Sequence, residues 1–175
     1  MRKLLIAMCA FVLAFATCEA NAPLIAEIAR PAVVTIHTAK ASGSGFFVSS
    51  QGYIVTNRHV VAGNNDVTVV AQNGKKIPGM VVAVGQEDVA LIRIMQENMP
   101  TLRIGSGHNA KVGEDLVWFG SPHGLSDTTT KGSLANNNRT INGARNLQLN
   151  GYVIPGNSGG PVLNMKGEVI GIVTA

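Results

Sequence analysis

From position 32 onward the chain reads as short apolar runs punctuated by glycine. Runs of this length, rich in valine and isoleucine and bounded by turn residues, predict strands. A first set covers 32–38, 45–49, 53–56, 67–71, 77–84 and 89–94, with Gln51-Gly52 and Asn73-Gly74 as turns. Six strands suffice for one small barrel ending near Met95. Positions 95–110, with Pro100 and Gly105-Ser106-Gly107, read as a connector. A second set follows at 115–119, 128–135, 146–149, 161–163 and 168–173, with turns at Asn142-Gly143 and Lys166-Gly167. Ahead of all the strands, 24–29 predicts one or two helical turns ended by Pro31. Two strand runs joined by a linker predict an all-β protein of two barrels, although periodicity alone leaves a sandwich open.

The N-terminus breaks this pattern. Arg2 and Lys3 precede an apolar stretch over 4–16 that is too short to span a bilayer, and Ala20-Asn21-Ala22 fits an A-x-A cleavage site. Residues 1–22 therefore read as a signal peptide, with an uncleaved anchor and a lipoprotein site at Cys18 as alternatives. Export to the periplasm or beyond follows, and the remainder divides into 23–95 and 96–175. Both cysteines, Cys9 and Cys18, lie in the leader, so the rest of the chain is expected to use no disulfide.

Composition narrows the class. Of 175 residues, 46% are apolar, only 14% are charged and 20 are glycine, which suits a buried β core better than a solvated helical surface. Removing Arg2, Lys3 and Glu19 with the leader lowers the formal charge from +4 to +3. The remaining basic residues are scattered, so no nucleic-acid partner is read. No clustered set of metal ligands stands in the sequence, and no metal or cofactor is expected.

The chemistry is concentrated around Gly156-Asn157-Ser158-Gly159-Gly160-Pro161. Glycines on both sides of a serine let the chain turn tightly and expose its hydroxyl. They also let the N–H groups of Gly156 and Ser158 point at one spot, an oxyanion hole in which one donor contributes about 3 kcal/mol to the transition state. An ordinary glycine-rich turn is the bland alternative. The stretch also fits the G-x-S-x-G elbow of α/β-hydrolases, but that fold needs its histidine after the serine. All four histidines precede Ser158, in the order His…Asp…Ser used by chymotrypsin-like proteases. His59 follows the 53–56 strand and is the candidate base, whereas His37, His108 and His123 read as surface or structural. Asp88 opens an apolar strand and is the candidate carboxylate that orients His59.

At these residues the sequence resembles the protease domain of the HtrA/Deg family. The matching segments are Gly43-Ser44-Gly45-Phe46-Phe47-Val48, Gly52-Tyr53-Ile54-Val55-Thr56-Asn57-Arg58-His59-Val60-Val61, Asp88-Val89-Ala90-Leu91 and Pro155-Gly156-Asn157-Ser158-Gly159-Gly160-Pro161. Val112-Gly113-Glu114 and Gly120-Ser121-Pro122-His123-Gly124-Leu125 add to it. The resemblance implies a trypsin-like double six-stranded β-barrel and an ATP-independent serine endopeptidase with His59, Asp88 and Ser158 as triad. It further implies unfolded or misfolded proteins as substrates, and oligomers, often trimers. It extends to the protease domain and to no PDZ domain. Family members carry a further strand beyond Gly171-Ile172-Val173-Thr174-Ala175, so the second barrel is expected to be incomplete. Tyr152, Val153 and Ile154 precede the serine where trypsin-like enzymes line the substrate pocket, and a bulky Tyr152 predicts a shallow pocket for small apolar side chains. A non-catalytic binding or chaperone module on the same fold is the alternative reading.

Overall fold

The computed structural model describes residues 21–121, 128–141 and 143–174. It opens on a helix, α1 (Ala22–Ala29), capped by Asn21, whose Oδ1 accepts from the Leu24 N–H at 3.0 Å. The helix passes into a short 3-10 turn, Arg30–Ala32, at Pro31. Of the A-x-A pattern, Asn21 is the helix cap and Ala22 the first helical residue, while Ala20 and the rest of the leader reading, with both cysteines, lie outside the described residues. No helix among the described residues is long and apolar enough to cross a membrane.

Six strands follow: β1 (Val33–His37), β2 (Ser42–Ser49), β3 (Tyr53–Thr56), β4 (Asp66–Val70), β5 (Lys76–Val84) and β6 (Ala90–Ile94). A four-residue helix, α2 (Arg58–Val61), stands between β3 and β4. The strands close into a barrel in the order β1-β2-β3-β6-β5-β4. Period-two burial is plain in β4 and in the first half of β5, where every second side chain enters the core. Ile36, Ile54, Val69, Ile92 and Ile94 fill it, each buried. The turn at Gln51-Gly52 works because Gly52 sits at φ +84°, where a Cβ would strike the carbonyl oxygens of Ile94 and Gln96.

The second half holds β7 (Arg103–Ile104), β8 (Asp115–Gly120), β9 (Thr128–Ile141), β10 (Ala144–Asn150), β11 (Pro161–Asn164) and β12 (Glu168–Ile172). Their order is β10-β9-β8-β11-β12-β7. The orders β8-β9-β10 and β12-β11 repeat β1-β2-β3 and β5-β4 of the first barrel. In the first barrel β6 bridges β3 and β5, and among the described residues no strand bridges β10 and β12 in the same way. This half is therefore an open six-stranded sheet, and its sixth member, β7, is a short parallel addition from the connector. The architecture is mostly β throughout, which rules out the helix-flanked sheet of an α/β-hydrolase.

Two apolar clusters complete the interior. Trp118, Leu116, Leu134 and Val162 form the core of the second sheet. Trp118 is fully buried, and its Nε1–H donates to the Tyr152 carbonyl at 3.0 Å. The other cluster joins the halves: Ile25 and Ala29 of α1 and Phe46 of β2 pack with Val117, Phe119 and Leu163. This seam fixes the two sheets against each other and carries the candidate site along its edge.

Candidate active site

His59 lies in the first turn of α2, directly after β3. Its backbone N–H donates to Asp88 Oδ1 at 3.0 Å, and its Nδ1 faces Asp88 Oδ2 at 2.7 Å. A carboxylate can only accept, so Nδ1 is the donor in this contact. Both side chains are partly open, at 45% and 31% exposure. Asp88 stands in the turn between β5 and β6, which is tied down from α2's side. Asn57 Nδ2 donates to the Asp88 carbonyl at 2.8 Å, and Arg58 Nη1 donates to the Gln86 carbonyl at 3.1 Å.

Ser158 sits in the loop between β10 and β11, 5% exposed. Gly156 at φ +100° and Gly159 at φ +89° turn the chain on either side of it. A Cβ on Gly159 would overlap the Ser44 carbonyl oxygen, and one on Gly160 would overlap that of Phe119. The loop is bonded on both flanks. Gly159 N–H donates to the Val173 carbonyl at 2.9 Å, and Val173 N–H donates to the Gly160 carbonyl at 2.8 Å. From the first barrel, Ser44 N–H donates to the Ser158 carbonyl at 2.8 Å. The loop reaches His59's helix across Gly43, where an added Cβ would meet both Val60 and the Ser158 carbonyl oxygen.

His59 and Asp88 are thus in direct contact, and the Ser158 loop, from the second sheet, meets the first barrel at Ser44 and Gly43, the latter against Val60 of α2. Tyr152, Val153 and Ile154 lead into that loop. The Tyr152 ring is 84% exposed, Val153 packs against the Trp118 cluster, and the Ile154 carbonyl accepts from Asn157 N–H at 3.0 Å. The other histidines lie apart: His37 ends β1, His108 Nδ1 faces Arg145 Nη1 at 2.8 Å, and His123 lies outside the described residues.

Two residues gain a place that sequence reasoning did not give them. Asn57, almost wholly buried, leaves α2 uncapped by its own side chain and bridges the Asp88 carbonyl and Thr174 Oγ1, the latter at 3.3 Å. Ser44, fully buried, donates from Oγ to the Gly156 carbonyl at 2.7 Å. Both stand inside motifs visible in the sequence, but nothing in those motifs indicates where their side chains point.

A closed six-stranded barrel beside a second β-sheet, with a histidine–carboxylate pair in the first and a glycine-turned serine in the second, defines a trypsin-like peptidase domain. The chain belongs to that family: the pattern described as "Trypsin-like peptidase domain" matches residues 43–172. Over 138 residues it is 39% identical to a protein of Pseudomonas putida strain F1 named "Probable periplasmic serine endoprotease DegP-like", covering 77% of this chain and 29% of that protein. It is 38% identical over 144 residues to the "Putative serine protease HhoB" of Synechocystis, covering 78% of this chain and 35% of that protein. Among solved structures, the HtrA-type protease AlgW with a tripeptide superposes with a TM-score of 0.82 at 29% identity, over 87% of this chain and 53% of AlgW. The chain therefore spans about a third of the length of these curated relatives.

Proposed function

We propose that the chain is the catalytic part of an exported serine endopeptidase that cuts unfolded or misfolded proteins. The observation that carries this reading is the double grip of Asp88 on His59, together with the glycine turns on either side of Ser158. In the mechanism, Ser158 Oγ attacks the peptide carbonyl while His59 Nε2 takes its proton. Asp88 stabilises the imidazolium, and the N–H groups of Gly156 and Ser158 receive the oxyanion. His59 then protonates the leaving amine, and water repeats the sequence to release the acid. In this reading Tyr152, Val153 and Ile154 line the side-chain pocket, which the bulk of Tyr152 makes shallow and suited to small apolar groups.

The printed names of the relatives support a periplasmic setting, and a signal peptide at 1–22 would supply the route. The proposal keeps the division of the chain into two units, 23–95 and 96–175. Homo-oligomers, trimers among them, are part of the proposal. A fluorophosphonate probe tests the chemistry. Labelling at Ser158 that disappears in Ser158→Ala and His59→Ala supports it, and an unlabelled, folded wild type refutes it. Substrate class is tested by comparing cleavage of one protein in its folded and unfolded forms. Equal rates would remove the preference for unfolded chains.

One observation favours a second reading. Among the described residues β10 is an edge strand with one side unpaired, which suits a module that binds an extended chain without cutting it. Peptide binding without probe labelling would mark that outcome.

A further inference from the structure

Ser44 is a polar residue buried completely, on the face of β2 that also carries the buried Phe46. Packing alone gives no reason for a hydroxyl there, since an alanine would fill the site without a polar group to satisfy. Yet every polar atom of Ser44 is used. Its N–H donates to the Ser158 carbonyl at 2.8 Å, and its own carbonyl accepts from Thr56 Oγ1 at 2.6 Å. Its Oγ donates to the Gly156 carbonyl at 2.7 Å and accepts from the Ser121 N–H at 2.8 Å. Ser121 N–H also leans on the Gly156 carbonyl at 3.4 Å, and Ser121 Oγ accepts from Thr35 Oγ1 at 2.6 Å. Thr35 is the cross-strand partner of Ser44, so both side chains leave the barrel on one face, toward the second sheet.

These bonds converge on one peptide group. The Gly156 carbonyl lies between the two proposed oxyanion donors, the N–H of Gly156 and that of Ser158. Gly156, at φ +100° and without a side chain, has little of its own to hold it in one orientation. We infer that Ser44 is a positioning residue: from the first barrel it fixes the Gly156 carbonyl, and thereby aims the oxyanion donors of the second sheet. This rests on the proposed peptidase reading. Ser44 touches no substrate and acts only through the loop. The hydroxyl is well suited to the task. It is desolvated and doubly bonded, so rotating the Gly156 peptide would leave the buried Ser44 hydroxyl proton without its acceptor and the half-buried Gly156 carbonyl without its donor.

The test is Ser44→Ala, with Ser44→Cys beside it as a near-isosteric side chain whose S–H is a weak donor. In folded Ser44→Ala, kcat falls about tenfold or more while KM stays within about twofold, because the lost interaction matters in the transition state and not in substrate binding. Ser44→Cys falls between the two. An unchanged kcat overturns the inference, and so does a change confined to the melting temperature. If Ser44→Ala does not fold, Ser44→Cys is read by the same criteria. Amide hydrogen exchange at Asn157 and Gly160 reads the loop without reference to turnover. Faster exchange in the variant supports the inference and unchanged exchange overturns it, even where an unlabelled wild type has refuted the peptidase reading.

Discussion

Asp88 meets His59 at two points, its Oδ1 on the backbone N–H and its Oδ2 on the ring. The N–H it takes is one that the start of a helix leaves without a partner. One carboxylate therefore caps α2 and sets the tautomer of the ring. Asp88→Asn keeps the shape but offers an amide N–H toward Nδ1, which favours the wrong tautomer. The expected outcome is a fall in kcat of about 10⁴-fold, the magnitude for loss of the correct tautomer in a Ser-His-Asp triad. Steady-state kinetics with a thermal melt checks it, and a loss below tenfold would mean that the ring is oriented by something else.

Acid should silence the enzyme through the same ring. Protonated His59 has no lone pair on Nε2 with which to accept the Ser158 proton. The logarithm of kcat/KM should drop by about one per pH unit on the acid side, and the rate of fluorophosphonate labelling should follow the same curve. A profile flat from neutral to mildly acidic pH counts against His59 as base.

Stability in acid should depend on a different group. The Glu168 carboxyl is held below its ordinary value of 4.5, first by the hydrogen bond from Asn164 Nδ2 and then by the nearby charges of Arg103 and Lys166. A carboxyl depressed in the folded state contributes stability above its unfolded pKa, and that contribution is lost as pH falls through the folded value. The melting temperature should therefore decline below about pH 4.5. Glu168→Gln should flatten that decline. At neutral pH its effect should be small, because Arg103 is largely exposed.

Two glycines separate backbone conformation from crowding. Gly159 and Gly74 both hold positive φ, +89° and +79°. Only Gly159 is crowded, with the Ser44 carbonyl where a Cβ would go, whereas nothing lies within 4 Å of that point on Gly74. Gly74→Ala should cost about 1 kcal/mol and leave turnover intact. Gly159→Ala should cost more than about 2 kcal/mol and abolish labelling of Ser158. Denaturant titration of the two variants side by side is the measurement, and equal costs would contradict the crowding argument.

Legibility in the sequence followed where each element finds its partners. β3 coincides with the predicted 53–56 because its alternation is complete within four residues. β9 runs to Ile141, beyond the predicted 135, because Asn136, Asn137 and Asn138 carry little strand propensity, and the strand is carried across them by β10, which pairs with Asn136 and Arg139 on either side of a register shift. α2 was invisible: four residues with two valines do not make a helix unaided, and its first turn is anchored by Asp88, which lies 29 positions away. β7 exists only because β12 lies beside it. The candidate triad was readable from residue type and order alone. The residues that brace it, Asn57 and Ser44, were not, since a brace is defined by what it touches.

The hydrocarbon seam formed by Ile25, Phe46, Val117, Phe119 and Leu163 has its own consequence for heat and denaturant. The proposed reacting groups, His59 and Ser158, belong to opposite banks of it, so in the proposed mechanism their alignment is only as durable as that contact. Loosening the seam would let each half keep its secondary structure while serine and imidazole drift out of reach. Catalysis should therefore fade at a lower urea concentration than the far-ultraviolet signal of the strands.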